Sequence, residues 1–151
     1  MGTIIAEKLK PALVNAGLIT SDVFDAAAAE AGRLGVPLDQ VLGDKELVPD
    51  QYLGQLVAET MGFKNAKFDA ESIPDHVLRI VPDHVAAKMR AAVFAAGDGT
   101  VSLAMRNPDD VEFRFLIEKK MGLRVIPFFV TARGFRSILE RPPARSRPEP
   151  E

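Results

Sequence analysis

The first sixty residues are similar to themselves, and this constrains the fold more than any other feature. Shifted by 29 positions, the stretch Leu9 to Glu30 lies on Leu38 to Glu59. Leu9 falls on Leu38, Leu13 on Leu42, Leu18 on Leu47, Ile19 on Val48, Phe24 on Leu53 and Ala28 on Val57, and Ala29-Glu30 falls on Ala58-Glu59. Self-similarity of this length marks one supersecondary unit used twice. The apolar residues recur at helical spacing, so each unit reads as helix-turn-helix. Pro11 is expected in the first turn of a helix that begins near Leu9, and Gly17 is expected to stop it in the left-handed conformation. Thr20 reads as an N-cap, with Asp22 in the turn that follows. Gly32 to Pro37 reads as a loop and 38–43 as a short helix. Pro49-Asp50 opens a helix that runs to Met61-Gly62, with the proline at the first helical position.

Beyond residue 62 the pattern changes. Residues 63–71 read as a connector. Pro74-Asp75-His76-Val77 then recurs as Pro82-Asp83-His84-Val85, predicting short helices over 74–80 and 82–90, each with proline at its first position. Two strands, 91–96 and 101–105, flank Gly97-Asp98-Gly99-Thr100, a hairpin signal. A helix follows Asp109-Asp110 and ends before Gly122. A third strand runs from Arg124 to Val130, where Pro127 suits an edge or a bulge. Thr131 is expected to cap a last helix carrying Phe135, Ile138 and Leu139. The proline-rich segment 141–151 has no large apolar residue and reads as a disordered tail or linker. The predicted class is α+β: a helical subdomain of two helix-turn-helix repeats (1–62), then an α/β subdomain (63–140) with a small three-stranded sheet and flanking helices.

Composition narrows the function mainly by exclusion. A formal net charge of −2 gives no reason to expect a nucleic acid polymer as partner. Cysteine is absent, which removes disulfides, thiolate metal sites and cysteine nucleophiles. No phosphate-binding Gly-x-x-x-x-Gly-Lys-Ser/Thr and no Gly-x-Ser-x-Gly is present, so no enzyme activity is expected of this chain. His76 and His84, eight residues apart across a proline, read as two similar helix starts, and no metal site is expected. No apolar run approaches the ~20 residues of a membrane-spanning helix, and no apolar leader follows a basic start. The expected location is the cytoplasm, without membrane insertion.

One constellation offers a ligand site. The turns of the doubled unit place Lys8, Arg33 and helix N-termini near apolar positions, and cations with free N–H groups suit phosphates. The same leucines at helical spacing also suit plain core packing.

Longer stretches carry a resemblance. GLITSDVFDAAAAEA and ELVPDQYLGQLVAET resemble two helix-turn-helix units. IPDHVLRIVPDHVAAKMRAAVF resembles a helix–proline–helix followed by a strand. VSLAMRNPDDVEFRFLIEKKMGLRVIPFFVT resembles an Ala-Met-x-(Asp/Asn)-Pro turn, helix, glycine and third strand. Together, over residues 4–140, they resemble the N-terminal domain of the ATPases of type II secretion and type IV pilus assembly. The resemblance implies a non-catalytic regulatory or docking module whose partner is a protein of the secretion or pilus machine, at the inner-membrane platform. It also implies an alternative, a sensor of cyclic di-GMP acting through tandem motifs at 8–31 and 37–60. The implied ligand residues are Lys8, Leu9, Leu13, Gly17, Arg33, Leu38 and Leu42, with no other cofactor. The motif departs from the family pattern at Lys8, Lys10, Phe24 and Ala31 in the first copy, and at Pro37, Asp39, Glu46 and Thr60 in the second. A carboxylate at position 39, where the family has glycine, is expected to repel a phosphate.

Overall fold

A computed structural model describes the backbone of residues 2–140 and the side chains from Glu7 onward. The proline-rich segment 141–151 lies outside the described residues, as do the side chains of Ile4 and Ile5. Four helices come first: α1 (Gly2–Asn15), α2 (Ser21–Leu34), α3 (Leu38–Asp44) and α4 (Asp50–Met61). After them come β1 (Lys64–Asn65), a 3-10 turn (Ala70–Ser72), α5 (Asp75–Leu78), α6 (Asp83–Met89), β2 (Ala91–Gly97), β3 (Thr100–Met105), α7 (Val111–Met121), β4 (Arg124–Phe129) and α8 (Ala132–Leu139). The architecture is α+β. The sheet order is β1-β4-β3-β2, so the three anticipated strands are joined by a two-residue fourth. Among the described residues no helix is long and apolar enough to cross a membrane.

The chain divides into two compact units, and its path between them is not sequential. The first contains the residues up to Asn65 together with Phe129–Arg133; the second contains Ala66–Phe128 and the residues from Gly134.

In the first unit, α1 packs on α2 and α4, and α3 packs on α2 and α4. Leu9, Leu13, Phe24, Val41, Leu42, Val48, Leu53 and Val57 form one buried cluster, which Phe129 joins. The helix starts differ from expectation in two ways. α1 begins at Gly2 rather than near Leu9, so Pro11 sits inside it. One proline removes a single N–H donor, and the good helix formers Ala6, Glu7 and Lys8 carry the helix through. Pro49, Pro74 and Pro82 each stand just before their helix, with extended ψ of 137°, 141° and 148°, rather than at its first position. In that position the proline carbonyl accepts the first helical bond, as in Leu53 N to Pro49 O at 3.0 Å and Ala86 N to Pro82 O at 2.8 Å. Thr20 caps α2 as expected, its hydroxyl accepting from Val23 N at 3.3 Å. α2 runs on to Leu34, through half of the expected loop, and Gly35 ends it at φ 70°.

In the second unit, β2 and β3 form the expected hairpin, with Gly97 opposite Thr100. Asp98 (φ 51°) and Gly99 (φ 77°) make a type I′ turn. The register shifts by one residue between Val93 and Ala95, so Phe94 is the extra residue of a bulge. Its ring meets Phe68 at 5.4 Å and Phe128, edge-on, at 5.1 Å. Helices α5 and α6 pack on β2, whose first three residues are fully buried. Asp110 caps α7 by accepting from Phe113 N at 3.0 Å, and Gly122 ends it in the left-handed region.

Candidate functional site

The doubled unit is a structural repeat down to its hydrogen bonds. In the first copy, Gly17 N donates to Val14 O, Leu18 N to Leu13 O and Phe24 N to Thr20 O. In the second, Glu46 N donates to Gly43 O, Leu47 N to Leu42 O and Leu53 N to Pro49 O, each donor and acceptor advanced by 29 positions. The left-handed residue is repeated as well. It is Gly17 (φ 74°) in the first turn and Glu46 (φ 55°) in the second, so the conformation survives without the glycine that favours it.

This geometry sorts the seven residues anticipated for a ligand. Leu9, Leu13 and Leu42 are buried in one core cluster, with Leu38 packed against it. Lys8, Gly17 and Arg33 lie on the exterior and do not join that cluster. Arg33, in the last turn of α2, stands 3.8 Å from Glu30, whose carboxylate also takes the ammonium of Lys45 at 2.7 Å. Arg33 thus offers a loosely held, largely exposed guanidinium.

The second copy contains a feature that sequence reading missed. Asp39 is only 8% exposed, and its Oδ2 accepts from the backbone N–H of Ala132 at 3.0 Å. The Thr131 hydroxyl donates to Asp50 Oδ2 at 3.0 Å, and the Arg133 guanidinium donates to the carbonyl of Gly43, also at 3.0 Å. Segment 131–133 is therefore clamped to α3 and α4 by three hydrogen bonds. The Thr131 hydroxyl proton thus goes to Asp50, and the first N–H of α8 goes to a carboxylate 93 residues earlier in the chain. Asp39 was expected to stand as a repelling charge at a phosphate site. It is instead buried and engaged with backbone. The other Asp50 oxygen is buried without a partner. The only local signal was a carboxylate set among apolar residues in Leu38-Asp39-Gln40-Val41-Leu42. Its partners are too distant in sequence for any periodicity to reveal them.

The second unit presents its own surface. α7 buries Phe113 and Ile117 but leaves Phe115 64% and Leu116 58% exposed, with Val111 also exposed. Beside it lies an open groove of about 430 Å³, lined by Val85, Lys88, Met89, Asp110, Phe113 and Leu116 among others. Phe129 is buried in the first unit's core, and Phe128 stacks on Phe94. His76 and His84 are exposed, and no group of three or more potential metal ligands exists among the described residues.

Comparison with known proteins agrees with this architecture. The type IV pilus assembly ATPase PilB of Thermus thermophilus is 29% identical over 141 residues, covering 92% of this chain. The chain spans 16% of that relative's length. A structure of MshE with cdg (cyclic di-GMP) superposes with a TM-score of 0.61 at 17% identity, covering 88% of this chain and 96% of that one. The N-terminal domain of XpsE superposes with a TM-score of 0.58 at 18% identity, covering 89% and 94%. At these identities the two structures establish a shared fold. The model of the MshEN domain matches residues 61–148, more than half of the chain and starting at the end of the doubled helical unit. The chain belongs to the MshEN domain family.

Proposed function

We propose that the chain is a non-catalytic docking module of a secretion or pilus assembly ATPase, that it works in the cytoplasm, and that it binds a protein of the machine's inner-membrane platform through its doubled helical unit. One observation carries this reading. The same repeat position is left apolar and exposed in both copies, Val23 at 39% on α2 and Tyr52 at 47% on α4. An aromatic and a branched aliphatic side chain on rigid helices are suitable anchors for a protein partner. Likeness to the N-terminal domain of XpsE supports the non-catalytic part, as does the absence of a phosphate-binding loop from the sequence.

The test is binding of this chain to purified cytoplasmic segments of the platform proteins of the same organism, with Val23→Asp and Tyr52→Asp as variants. Each substitution places a charge on an exposed site, so folding is retained and binding is lost. Binding that survives both substitutions together overturns the proposed face.

A second reading, a sensor of cyclic di-GMP, is favoured by one specific observation: the fold is shared with MshE, which has been solved with that ligand. Lys8, Gly17 and Arg33 are the accessible residues it would use, with Leu9, Leu13, Leu38 and Leu42 shaping the apolar side. Against it, Asp39, Asp50 and the Gly43 carbonyl already hold segment 131–133. Lys8 also lacks the bidentate fork with which Arg holds a phosphate. Calorimetry at low salt decides between the readings: micromolar binding of cyclic di-GMP that Lys8→Ala and Arg33→Ala abolish would establish the sensor.

A further inference from the structure

We infer that the outer face of α7 is a self-association surface, on which a second copy of this chain packs antiparallel about a two-fold axis. Glu112, Phe115, Leu116 and Lys119 stand at i, i+3, i+4 and i+7, and at about 100° per residue they fall within one arc of the helix. All four are exposed, while Phe113 and Ile117 on the opposite arc face the unit's interior. An exposed stripe with two large apolar residues at its centre is the pattern of a helix face that expects another helix.

The order of the charges selects the occupant. An antiparallel helix pair with its two-fold axis midway between residues 115 and 116 places each residue opposite one whose number makes up the same sum. Phe115 of one copy then meets Leu116 of the other, and Glu112 meets Lys119, twice over by symmetry. The face is therefore complementary to itself in both apolarity and charge. A parallel pair would instead set Glu112 against Glu112 and Lys119 against Lys119, which is repulsive. The groove beside α7 adds shape. Leu116 lines its wall with Val85 and Met89, so a Phe115 arriving opposite Leu116 has an apolar recess to enter. An eleven-residue helix offers a small contact area, so the pair is weak and depends on concentration.

Sedimentation equilibrium of the full chain, from micromolar to near-millimolar concentration, tests this. The expected result is a monomer–dimer equilibrium that Phe115→Asp abolishes. Glu112→Lys and Lys119→Glu should each raise the dimer dissociation constant at least about tenfold, since each converts attractive contacts into like-charge ones. Mixing the two single variants should restore association as a heterodimer, and so should the double swap Glu112→Lys/Lys119→Glu. All four positions are exposed, so circular dichroism should report an unchanged fold. A chain that stays monomeric throughout, a dimer indifferent to Phe115→Asp, or charge variants that mixing does not rescue would each overturn the inference.

Discussion

The two copies of the helical repeat share one backbone plan and differ in what their polar groups do. In the first copy, Lys10 pairs with Asp25 at 2.9 Å near the surface, Thr20 caps α2 with its own hydroxyl, and glycine supplies the left-handed turn. In the second, the residue aligned with Lys10 is Asp39, buried and bonded to the N–H of Ala132. Pro49 offers no side-chain cap, and Glu46 holds the left-handed turn. The first copy is satisfied locally; the second is completed by a segment from the far end of the chain. A repeat can therefore keep its packing residues in register while its polar positions are reassigned, because packing depends on shape and periodicity and polar satisfaction depends on whichever partner is near.

Substitutions can break or sharpen this contrast. The largest effect should be common to both copies. Leu13→Ala and Leu42→Ala, at equivalent fully buried sites, should each cost about 3 kcal/mol in urea unfolding. A cost below about 1 kcal/mol at either site would break the equivalence. The next effect should separate the copies. Asp39→Ala strands the Ala132 N–H and should cost roughly 1–3 kcal/mol, whereas Lys10→Ala should stay within about 0.5 kcal/mol. Asp39→Asn retains an acceptor oxygen, so recovery of most of the loss would assign the effect to the hydrogen bond rather than to charge. The two turns should then move in opposite directions. Gly17→Ala should destabilise by about 1 kcal/mol, and Glu46→Gly should stabilise by several tenths of a kcal/mol up to about 1. Thr20→Ala should cost about 1 kcal/mol or less, given the 3.3 Å length of the cap bond.

Features with a local cause were legible in the sequence. The offset of 29 positions placed both turns, because equivalent residues meet the same steric demands. The Gly97-Asp98-Gly99-Thr100 hairpin was legible because positive φ at two consecutive residues selects a narrow set of side chains. The start of α7 after Asp109-Asp110 and its stop at Gly122 followed from the same kind of rule. Features with distant causes were not legible. β1 has two residues and too short a pattern to register. A Cβ at Gly54 would lie 2.6 Å from the Asn65 side chain, so any larger residue there must displace a group that comes after the helix has ended. The clamp on segment 131–133 joins residues 81 to 93 positions apart. For the candidate site, the leucines were legible as apolar positions; that Lys8, Gly17 and Arg33 stay on the exterior while Asp39 turns inward was not.

The return of residues 129–133 also bears on what the front half needs in order to be complete. Phe129 completes the first unit's core, and Thr131, Ala132 and Arg133 occupy polar groups on α3 and α4. Residues up to Asn65 alone therefore lack part of that interior and the hydrogen bonds that Asp39 and Asp50 make with segment 131–133. The helical half reaches its full set of contacts only once residues 129–133 are present. By the same logic, recombination that exchanges the front half between relatives must carry a five-residue passenger from the back.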